Sequence, residues 1–375
     1  MKLGLVLEHF DPMRGGLEHW TWQFARDLLK RGHEVHVVAF DFHAETESAG
    51  FVALRLGEMP RSRLDRAEMI AHHLSTMSLD IVHDMGVGWR ADIIHPHGGS
   101  TVALWEQNLL RVPTWRQIRF WRERRYRELA EVERRQHASD AVIVAVSNMV
   151  KRHFETLHHL PPERLRVIPN GVDVGRFTPE NRPSLREITR QKLGVRAEVL
   201  FLMLAHNLLL KNAETFLRAA ARLLQAGLPL RLLIAGGKKP QPFVRLAEQL
   251  GISRAVTFAD MVDSAPHYAA ADAFVHPTWY DPCSLVTLEA SAAGLPVVTT
   301  RFNGASELMS DGEEGFLLDQ PADEATLAAR MTQLMDAKLR AKMSFAGRAM
   351  ALRHTFAQQT TQFLKLYEEV RAAKS

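Results

Sequence analysis

Short apolar runs alternate with helical stretches through the second half of the chain, and this alternation restricts the fold more than any other feature. Five runs follow one another between residues 199 and 300, and each is separated from the next by a stretch with apolar residues at helical spacing. Strands that alternate with helices pair in parallel, because a parallel pair needs a long crossover connection. The sequence therefore predicts an α/β domain on a parallel sheet. The five runs are VLFLMLA, LRLLIAGG, AVTFAD, AFVHPT and LPVVTT.

The first half of the chain repeats this organisation. An apolar run at residues 3–10 leads into a stretch in which Leu17, Trp20, Phe24 and Leu28 have helical spacing, and a second apolar run follows Gly32. Further strand candidates are DIVHDM, ADIIHPH and AVIVAVS. These patterns predict a second parallel α/β domain.

A change in composition separates the two series. Residues 169–183 contain three prolines, two glycines and two asparagines, which interrupt regular structure. At 375 residues and 46% hydrophobic content the chain exceeds what one core holds. We therefore expect an N-terminal Rossmann-like domain at 1–168 and a C-terminal one at 169–355. A closing amphipathic helix is expected at 356–375, packing back on the N-terminal domain. We expect the two doubly wound domains to face one another across a cleft, with ligands bound at the carboxyl ends of the strands.

Composition narrows the class of protein further. The chain has one cysteine and no run of about 20 apolar residues, so we expect a cytoplasmic protein without an internal disulfide or a spanning helix. Its net charge of +4 is small, and nucleic acid is not a predicted partner. A nicotinamide-dependent oxidoreductase would share the doubly wound α/β fold. However, the motif Gly-x-Gly-x-x-Gly that binds the dinucleotide is missing after the first strand, so this class of enzyme is not predicted.

Two carboxylates lie eight positions apart in HPTWYDPCSLVTLEASAAGLPVVTT. Asp281 follows a strand candidate, and Ser284 is expected to cap a helix that carries Glu289 and ends at Gly294. Free backbone N–H groups at Cys283, Ser284 and Leu285 would suit a phosphate. Because two carboxylates repel a bare phosphate, their partners are expected to be hydroxyl groups, as on a nucleotide sugar.

These residues carry a family resemblance. The stretch from Asp281 through EASAAGLPVV resembles the paired-acid motif of the retaining glycosyltransferases of family 4, which have the GT-B fold, although the first acid of that family is usually Glu. VIPNGVDVGRFTP resembles the family's inter-domain signature and FDPMRGG its first glycine loop. Within the family, LREITRQKLGV and MVDSAPHYAAADAFVHP resemble the lipopolysaccharide core glucosyltransferases.

The resemblance implies roles for residues of the C-terminal domain. Glu289 would hold the ribose hydroxyls and Asp281 the hydroxyls of the donor sugar, while Lys211 would neutralise the departing diphosphate. Backbone groups of the three residues from Cys283 to Leu285 would contact the sugar and its phosphates. The family's usual Gly-Arg pair is Ala205-His206 here, so either His206 or a residue elsewhere supplies the second cation, or the site functions with one lysine.

Three residues of the N-terminal domain are also implied. Gly15 and Gly16, at the turn from strand to helix, would let the backbone approach the phosphates. His97 matches a family histidine near the donor sugar, and His95 is the alternative.

A basic stretch stands apart from these motifs. Residues 111–135 contain nine arginines and four glutamates, interleaved with aromatic residues. One interpretation is a helix that lies on an anionic membrane surface or contacts the acceptor, and the other is a solvated helix with glutamate partners. The residues of this patch are Arg116, Arg119, Trp121, Arg122, Arg124 and Arg125.

The expected activity is transfer of a hexose to a saccharide or lipid-linked saccharide. UDP-glucose is the favoured donor, and other hexoses and guanosine diphosphate donors stay open. The resemblance implies retention of anomeric configuration. A same-face mechanism is favoured because no carboxylate stands out as a covalent nucleophile. The sequence has no Asp-x-Asp motif on a strand-end loop, so neither a metal ion nor another cofactor is expected. The alternative is a nucleotide-sugar-binding protein of the same fold with weakened catalysis.

Overall fold

The computed structural model describes residues 1–43, 50–109, 124–237, 240–260 and 262–374, with the side chain of Arg125 excepted. Within these ranges no helix combines the length and the apolar character that crossing a bilayer requires.

Strands and helices alternate along the described chain. The strands are β1 (Lys2–Val6), β2 (His9–Phe10), β3 (Glu34–Ala39), β4 (Asp41–Phe42), β5 (Val52–Arg55), β6 (Ile81–Asp84), β7 (Ile93–Ile94), β8 (Val142–Ala145), β9 (Leu165–Val167), β10 (Val199–Leu204), β11 (Leu230–Ala235), β12 (Val256–Ala259), β13 (Ala273–His276), β14 (Val297–Thr300) and β15 (Gly315–Leu318). The helices are α1 (Gly16–Lys30), α2 (Arg63–Ser75), α3 (Thr101–Leu109), α4 (Arg124–Ala138), α5 (Asn148–Leu157), α6 (Arg182–Lys192), α7 (Ala213–Gln225), α8 (Gln241–Gln249), α9 (Ser264–Ala270), α10 (Leu285–Ala292), α11 (Glu324–Gln333), α12 (Ala337–Leu352) and α13 (Phe356–Lys374).

The chain divides into two compact units. The first comprises Met1–Pro169 with Ala357–Ser375, and the second comprises Asn170–Phe356. Each has its own parallel sheet. The sequence-based prediction of two parallel α/β domains is confirmed.

In the second unit, six described strands pair in the order β12-β11-β10-β13-β14-β15, all parallel. Every residue of β10, β13 and β14 is buried, as helices on both faces of a parallel sheet require. The core on one face includes Phe201, Phe216, Leu232 and Met331. The order reverses at β10, because β11 and β12 lie on one side of it and β13 on the other. The topological switch point is therefore between β10 and β13.

In the first unit, seven described strands pair in the order β5-β3-β1-β6-β7-β8-β9, and this order reverses at β1. The C-terminal helix α13 packs against the same unit. The ring of Phe363 on this helix lies 5.2 Å from that of Phe24, and the indole N–H of Trp20 donates to Oε1 of Gln359 at 2.9 Å.

Most of the predicted elements are present in the structure, and some strands were not predicted. The fully buried strand runs and the closing helix are found where the apolar patterns predicted them. The strands β5, β9 and β15 were not predicted. β5 is largely exposed, β9 has three residues and β15 has four, so none gives a long apolar pattern.

Candidate functional site

Two loops of the second unit extend from adjacent strands at the switch point. The β10 strand leads to the loop that ends at Lys211, and β13 leads to the loop that contains Asp281. Because the two strands are parallel, their carboxyl ends lie at one edge of the sheet. This topology brings together side chains that are 70 positions apart.

Lys211 and Asp281 form an ion pair. The Lys211 ammonium donates to Oδ2 of Asp281 at 2.6 Å and to the carbonyl of Tyr280 at 3.1 Å. Both side chains are largely buried, with 17% and 13% exposed. Burial raises the pKa of Asp281, but the Lys211 ammonium and the His276 ring together outweigh it and hold this pKa well below its usual range. Asp281 is therefore a carboxylate at neutral pH.

His276 is a second partner of Asp281 that sequence analysis missed. Its Nε2 lies 3.2 Å from Oδ2 of Asp281. Burial lowers the pKa of His276, so the ring is neutral. Since a carboxylate only accepts, Nε2 carries the proton that the ring donates. The one available signal was a histidine at the end of an apolar strand run.

Asn303 stabilises the loop that contains Asp281, and sequence analysis missed it, as it missed Tyr268, the partner of Glu289. The backbone N–H of Asp281 donates to the carbonyl of Phe302, and its carbonyl accepts from Gly304, at 2.9 and 2.8 Å. Asn303 is fully buried, and its side-chain amide donates to Thr287 and Thr299 at 3.1 Å each. The Asn-Gly pair after the last predicted strand was the available signal.

The helix after Asp281 begins as predicted, but one of its expected free donors is engaged. Ser284 caps α10 by accepting from the backbone N–H of Thr287 at 3.3 Å, and Gly294 ends the segment with a φ of 74°. The backbone N–H of Ser284 donates to Oδ1 of Asn303 at 3.1 Å. The expectation of a free N–H at Ser284 is therefore wrong, because the buried Asn303 amide oxygen needs this donor.

The neighbours of Ser284 differ in accessibility. Cys283 is buried, its carbonyl accepts from the Asn170 side chain at 2.8 Å, and burial raises the pKa of its thiol to about 12. Leu285 is the first residue of α10 and is half-buried.

Glu289 lies in the second turn of α10 and is held by Tyr268. The Tyr268 hydroxyl lies 2.9 Å from Oε2 of Glu289 and 3.1 Å from the carbonyl of Val286. Burial raises the pKa of Glu289 to about 7, although the Tyr268 hydrogen bond and the charge of Arg176 both oppose this rise. The charge of Glu289 therefore depends on pH near neutrality.

His206 follows β10 and is exposed. It lies in the loop that leads to Lys211, which is where the family's cationic residue was expected.

The predicted N-terminal residues lie in the first unit. Gly15 precedes the first turn of α1 with extended backbone (φ −174°), so its φ alone does not require glycine, and Gly16 begins the helix. His97 is half-buried and lies 4.5 Å from the ring of Trp20, whereas His95 is fully buried. Burial lowers the pKa of His97 to about 3.

Most of the basic patch lies outside the described residues, including Arg116, Arg119, Trp121 and Arg122. At the start of α4, exposed Arg124 donates to Oε1 of Glu128 at 2.6 Å. Glu128 is thus a glutamate partner of one arginine in the patch, as the solvated-helix interpretation predicts.

Comparison with solved structures defines the class of the fold. A crystal structure of WaaG, "a glycosyltransferase involved in lipopolysaccharide biosynthesis", matches with a TM-score of 0.83 at 23% identity over 97% of this chain and 99% of that one. The Anabaena protein Alr3699/HepE, crystallised with UDP-glucose, matches with a TM-score of 0.76 at 20% identity over 98% of this chain and all of that one. The two units thus have the GT-B fold of glycosyltransferases.

Sequence comparison identifies the family within this class. The model described as "Glycosyl transferases group 1" matches residues 198–337, and "Glycosyltransferase Family 4" matches residues 14–176. Lipopolysaccharide glucosyltransferase WaaG of Escherichia coli K12 is 31% identical over 345 residues, which is 87% of each chain. The chain belongs to glycosyltransferase family 4.

Proposed function

We propose that this glycosyltransferase moves a hexose, with glucose favoured, from a nucleoside diphosphate sugar to a hydroxyl of a saccharide or glycolipid, with retention of configuration. The observation that carries the proposal is the Lys211–Asp281 ion pair at the switch point. Asp281 and Glu289 lie on one loop-and-helix segment, and Lys211 lies on the neighbouring loop. The name of the Escherichia coli relative supports glucose, and the HepE complex supports UDP-glucose as the donor.

The charged side chains at the switch point of the second unit then have defined roles in the proposed reaction. Lys211 and His276 both contact Oδ2 of Asp281, so we assign the donor sugar's hydroxyls to Oδ1. Tyr268 contacts Oε2 of Glu289, so we assign the ribose hydroxyls to Oε1. The Lys211 ammonium and the start of α10 stabilise the negative charge that develops on the diphosphate.

The first unit supplies the remaining contacts in this proposal. The backbone at Gly15 and Gly16 approaches the phosphates at the start of α1, and His97 orients the donor sugar. His97 has exposed surface and His95 has none, which favours His97 for this role.

The chemistry follows from positioning and charge. The acceptor hydroxyl attacks the anomeric carbon on the face from which the diphosphate leaves. The bond from this carbon to the diphosphate oxygen breaks, and the departing phosphate takes the acceptor's proton. This route needs neither a covalent enzyme intermediate nor a metal ion.

The test is a panel of nucleotide sugars in a transfer and hydrolysis assay, with binding measured by calorimetry. We expect UDP-glucose to bind and turn over, and Glu289→Ala to abolish transfer while retaining the fold. Glu187→Ala, an exposed acid on α6, is the matched control. Binding without any turnover would favour the sugar-binding alternative, and a fully active Glu289→Ala would contradict the site.

A glycolipid acceptor would place the enzyme at the cytoplasmic face of a membrane, and the basic patch supports this part of the proposal. Co-sedimentation with anionic and neutral vesicles at low and high salt tests it. We expect salt-sensitive binding to anionic vesicles only. If anionic vesicles are not bound, the patch is a solvated helix or an acceptor contact.

A further inference from the structure

A cluster of two histidines and a glutamate in the first unit takes no part in the proposed reaction. Glu133 and His137 lie one turn apart on the same face of α4, and His158 caps the C-terminus of α5. One ligand atom from each side chain lies within 4.8 Å of the other two. Such spacing permits all three to contact one ion.

In this cluster Glu133 is buried, the two histidines are half-buried, and the hydrogen-bonding groups are only partly paired with protein. The side chains of Glu133 and His158 are 8% and 12% exposed, and the rings of His137 and His158 lie 4.4 Å apart. Oε1 of Glu133 accepts from the backbone N–H of Thr101 at 3.2 Å, whereas Oε2 has no hydrogen-bond partner among the residues that the structure describes. Because buried carboxylate oxygens are normally partnered, this atom calls for a ligand.

The donor set narrows the kind of ion. Two imidazoles and one carboxylate suit transition-metal ions, zinc among them, whereas magnesium and calcium prefer oxygen ligands alone. In a tetrahedral zinc site with bonds of about 2.0–2.1 Å, ligand atoms are about 3.3 Å apart. Nε2 of His158 lies 3.4 Å from Oε1 of Glu133, close to this separation.

We infer that Glu133, His137 and His158 form a binding site for one Zn²⁺ ion per chain, with a fourth position for water or a hydroxyl group. Ser100 lies beside this position, because its Oγ is 2.8 Å from Nε2 of His158, and an ion bound to Nε2 would replace this hydrogen bond.

The position of the site defines what the ion does. Glu133 lies on α4 and His158 at the end of α5, while Thr101 begins α3 and Ser100 directly precedes it. An ion at this point joins the three helices and stabilises the first unit. It also fixes the start of α3, four residues after His97.

The experiment uses full-length, tag-free protein stripped with a chelator and then dialysed against zinc. We expect one zinc per chain by elemental analysis, no comparable binding of magnesium, and native-state hydrogen exchange of first-unit amides slowed by about tenfold at roughly tenfold excess of zinc over Kd. His137→Ala and His158→Ala should each weaken zinc binding by at least about tenfold. His72→Ala, an exposed histidine on α2, should bind as the unchanged protein does.

Two further measurements keep the result independent of folding. Glu133→Gln retains an acceptor for the Thr101 N–H and should still lose zinc affinity. X-ray absorption of the zinc-loaded unchanged protein should show two imidazoles and oxygen ligands. Failure to bind zinc, or equal affinity in His137→Ala, His158→Ala and the unchanged protein, would overturn the site and leave a Ser100–His158–Glu133 hydrogen-bond network.

Discussion

Lys211 is the residue whose charge the proposed reaction depends on most. Lys211→Ala removes the ammonium that meets the developing diphosphate charge, and we expect kcat to fall by about 10²–10³-fold. Lys211→Arg retains a cation but not the compact geometry of the ammonium, so its kcat should lie between those of Lys211→Ala and the unchanged enzyme. Steady-state kinetics with UDP-glucose measure the effect. Lys192→Ala, an exposed lysine on α6, should behave as the unchanged enzyme does, and an undiminished kcat in Lys211→Ala would exclude the assigned role.

Tyr268 controls the charge of Glu289 and gives a prediction in pH. Its hydrogen bond lowers a pKa that burial raises to about 7, so Tyr268→Phe should raise this pKa further. If Glu289 binds ribose as an anion, the acidic limb of the kcat/KM profile moves to higher pH, and the lost activity returns in alkaline buffer. A uniform loss at every pH would instead indicate a packing defect. The comparison requires full profiles of both proteins from pH 5 to 9.

At the scale of elements, a buried ion cluster attaches α6 to the sheet of the second unit. Asp272 accepts from Arg186 at 2.6 Å, from Arg190 at 3.0 Å and from the backbone N–H of Leu200 at 2.8 Å. Asp272 and Arg190 are 9% and 8% exposed. The carboxylate thus connects α6, β10 and the start of β13.

Asp272→Ala should lower the free energy of unfolding of the second unit by about 3–5 kcal/mol, because it leaves the buried Arg190 guanidinium without its counter-ion. Native-state hydrogen exchange of amides in β10 and β13 measures the change. Asp319→Ala removes the partner of Arg301 from an exposed ion pair and is the control. An equal effect of the two substitutions would show that burial of the pair does not matter.

Elements with strong local patterns could be predicted from the sequence, and long-range contacts could not. Ser284 and Gly294 fixed both ends of α10 because capping is local. β15 was missed: it pairs beside β14, where a Cβ on Gly315 would collide with the carbonyl of Val297. The Lys211–Asp281 pair depends on which strand lies next to β10, and no pattern within either loop encodes that order.

At the scale of the whole molecule, the C-terminal helix packs in the same unit as the N-terminus. The rings of His83 and His95 each lie 5.0 Å from Phe363 on this helix and stack on one another at 5.3 Å. The His97 ring is tilted against that of His95 at 4.0 Å. Nδ1 of His83 lies 2.6 Å from the Tyr367 hydroxyl. The sequence placed these histidines on strand ends but gave no indication that they share one core with α13.

This histidine cluster should make the first unit sensitive to acid. Burial lowers the pKa of His83 and His97 to about 3, and that of His95 well below its usual 6.5. The unfolded chain therefore binds more protons below pH 6.5, and stability is lost as pH falls from that value. Each histidine that stays neutral costs about 2 kcal/mol at pH 5. Asp84 and Glu133, whose pKa values burial raises to about 6 and about 7, oppose part of this loss.

His95→Leu isolates the effect. Both ring nitrogens of His95 lack hydrogen-bond partners among the described residues, so an apolar side chain of similar volume leaves no new unpaired group there. We expect this variant to be as stable as the unchanged protein at pH 7 and more stable at pH 5. Because two units unfold in one chain, the measurement is native-state hydrogen exchange of amides around Trp20 rather than one melting curve. His72→Leu should leave the pH dependence unchanged, and equal acid sensitivity of His95→Leu and the unchanged protein would show that this ring is not the source.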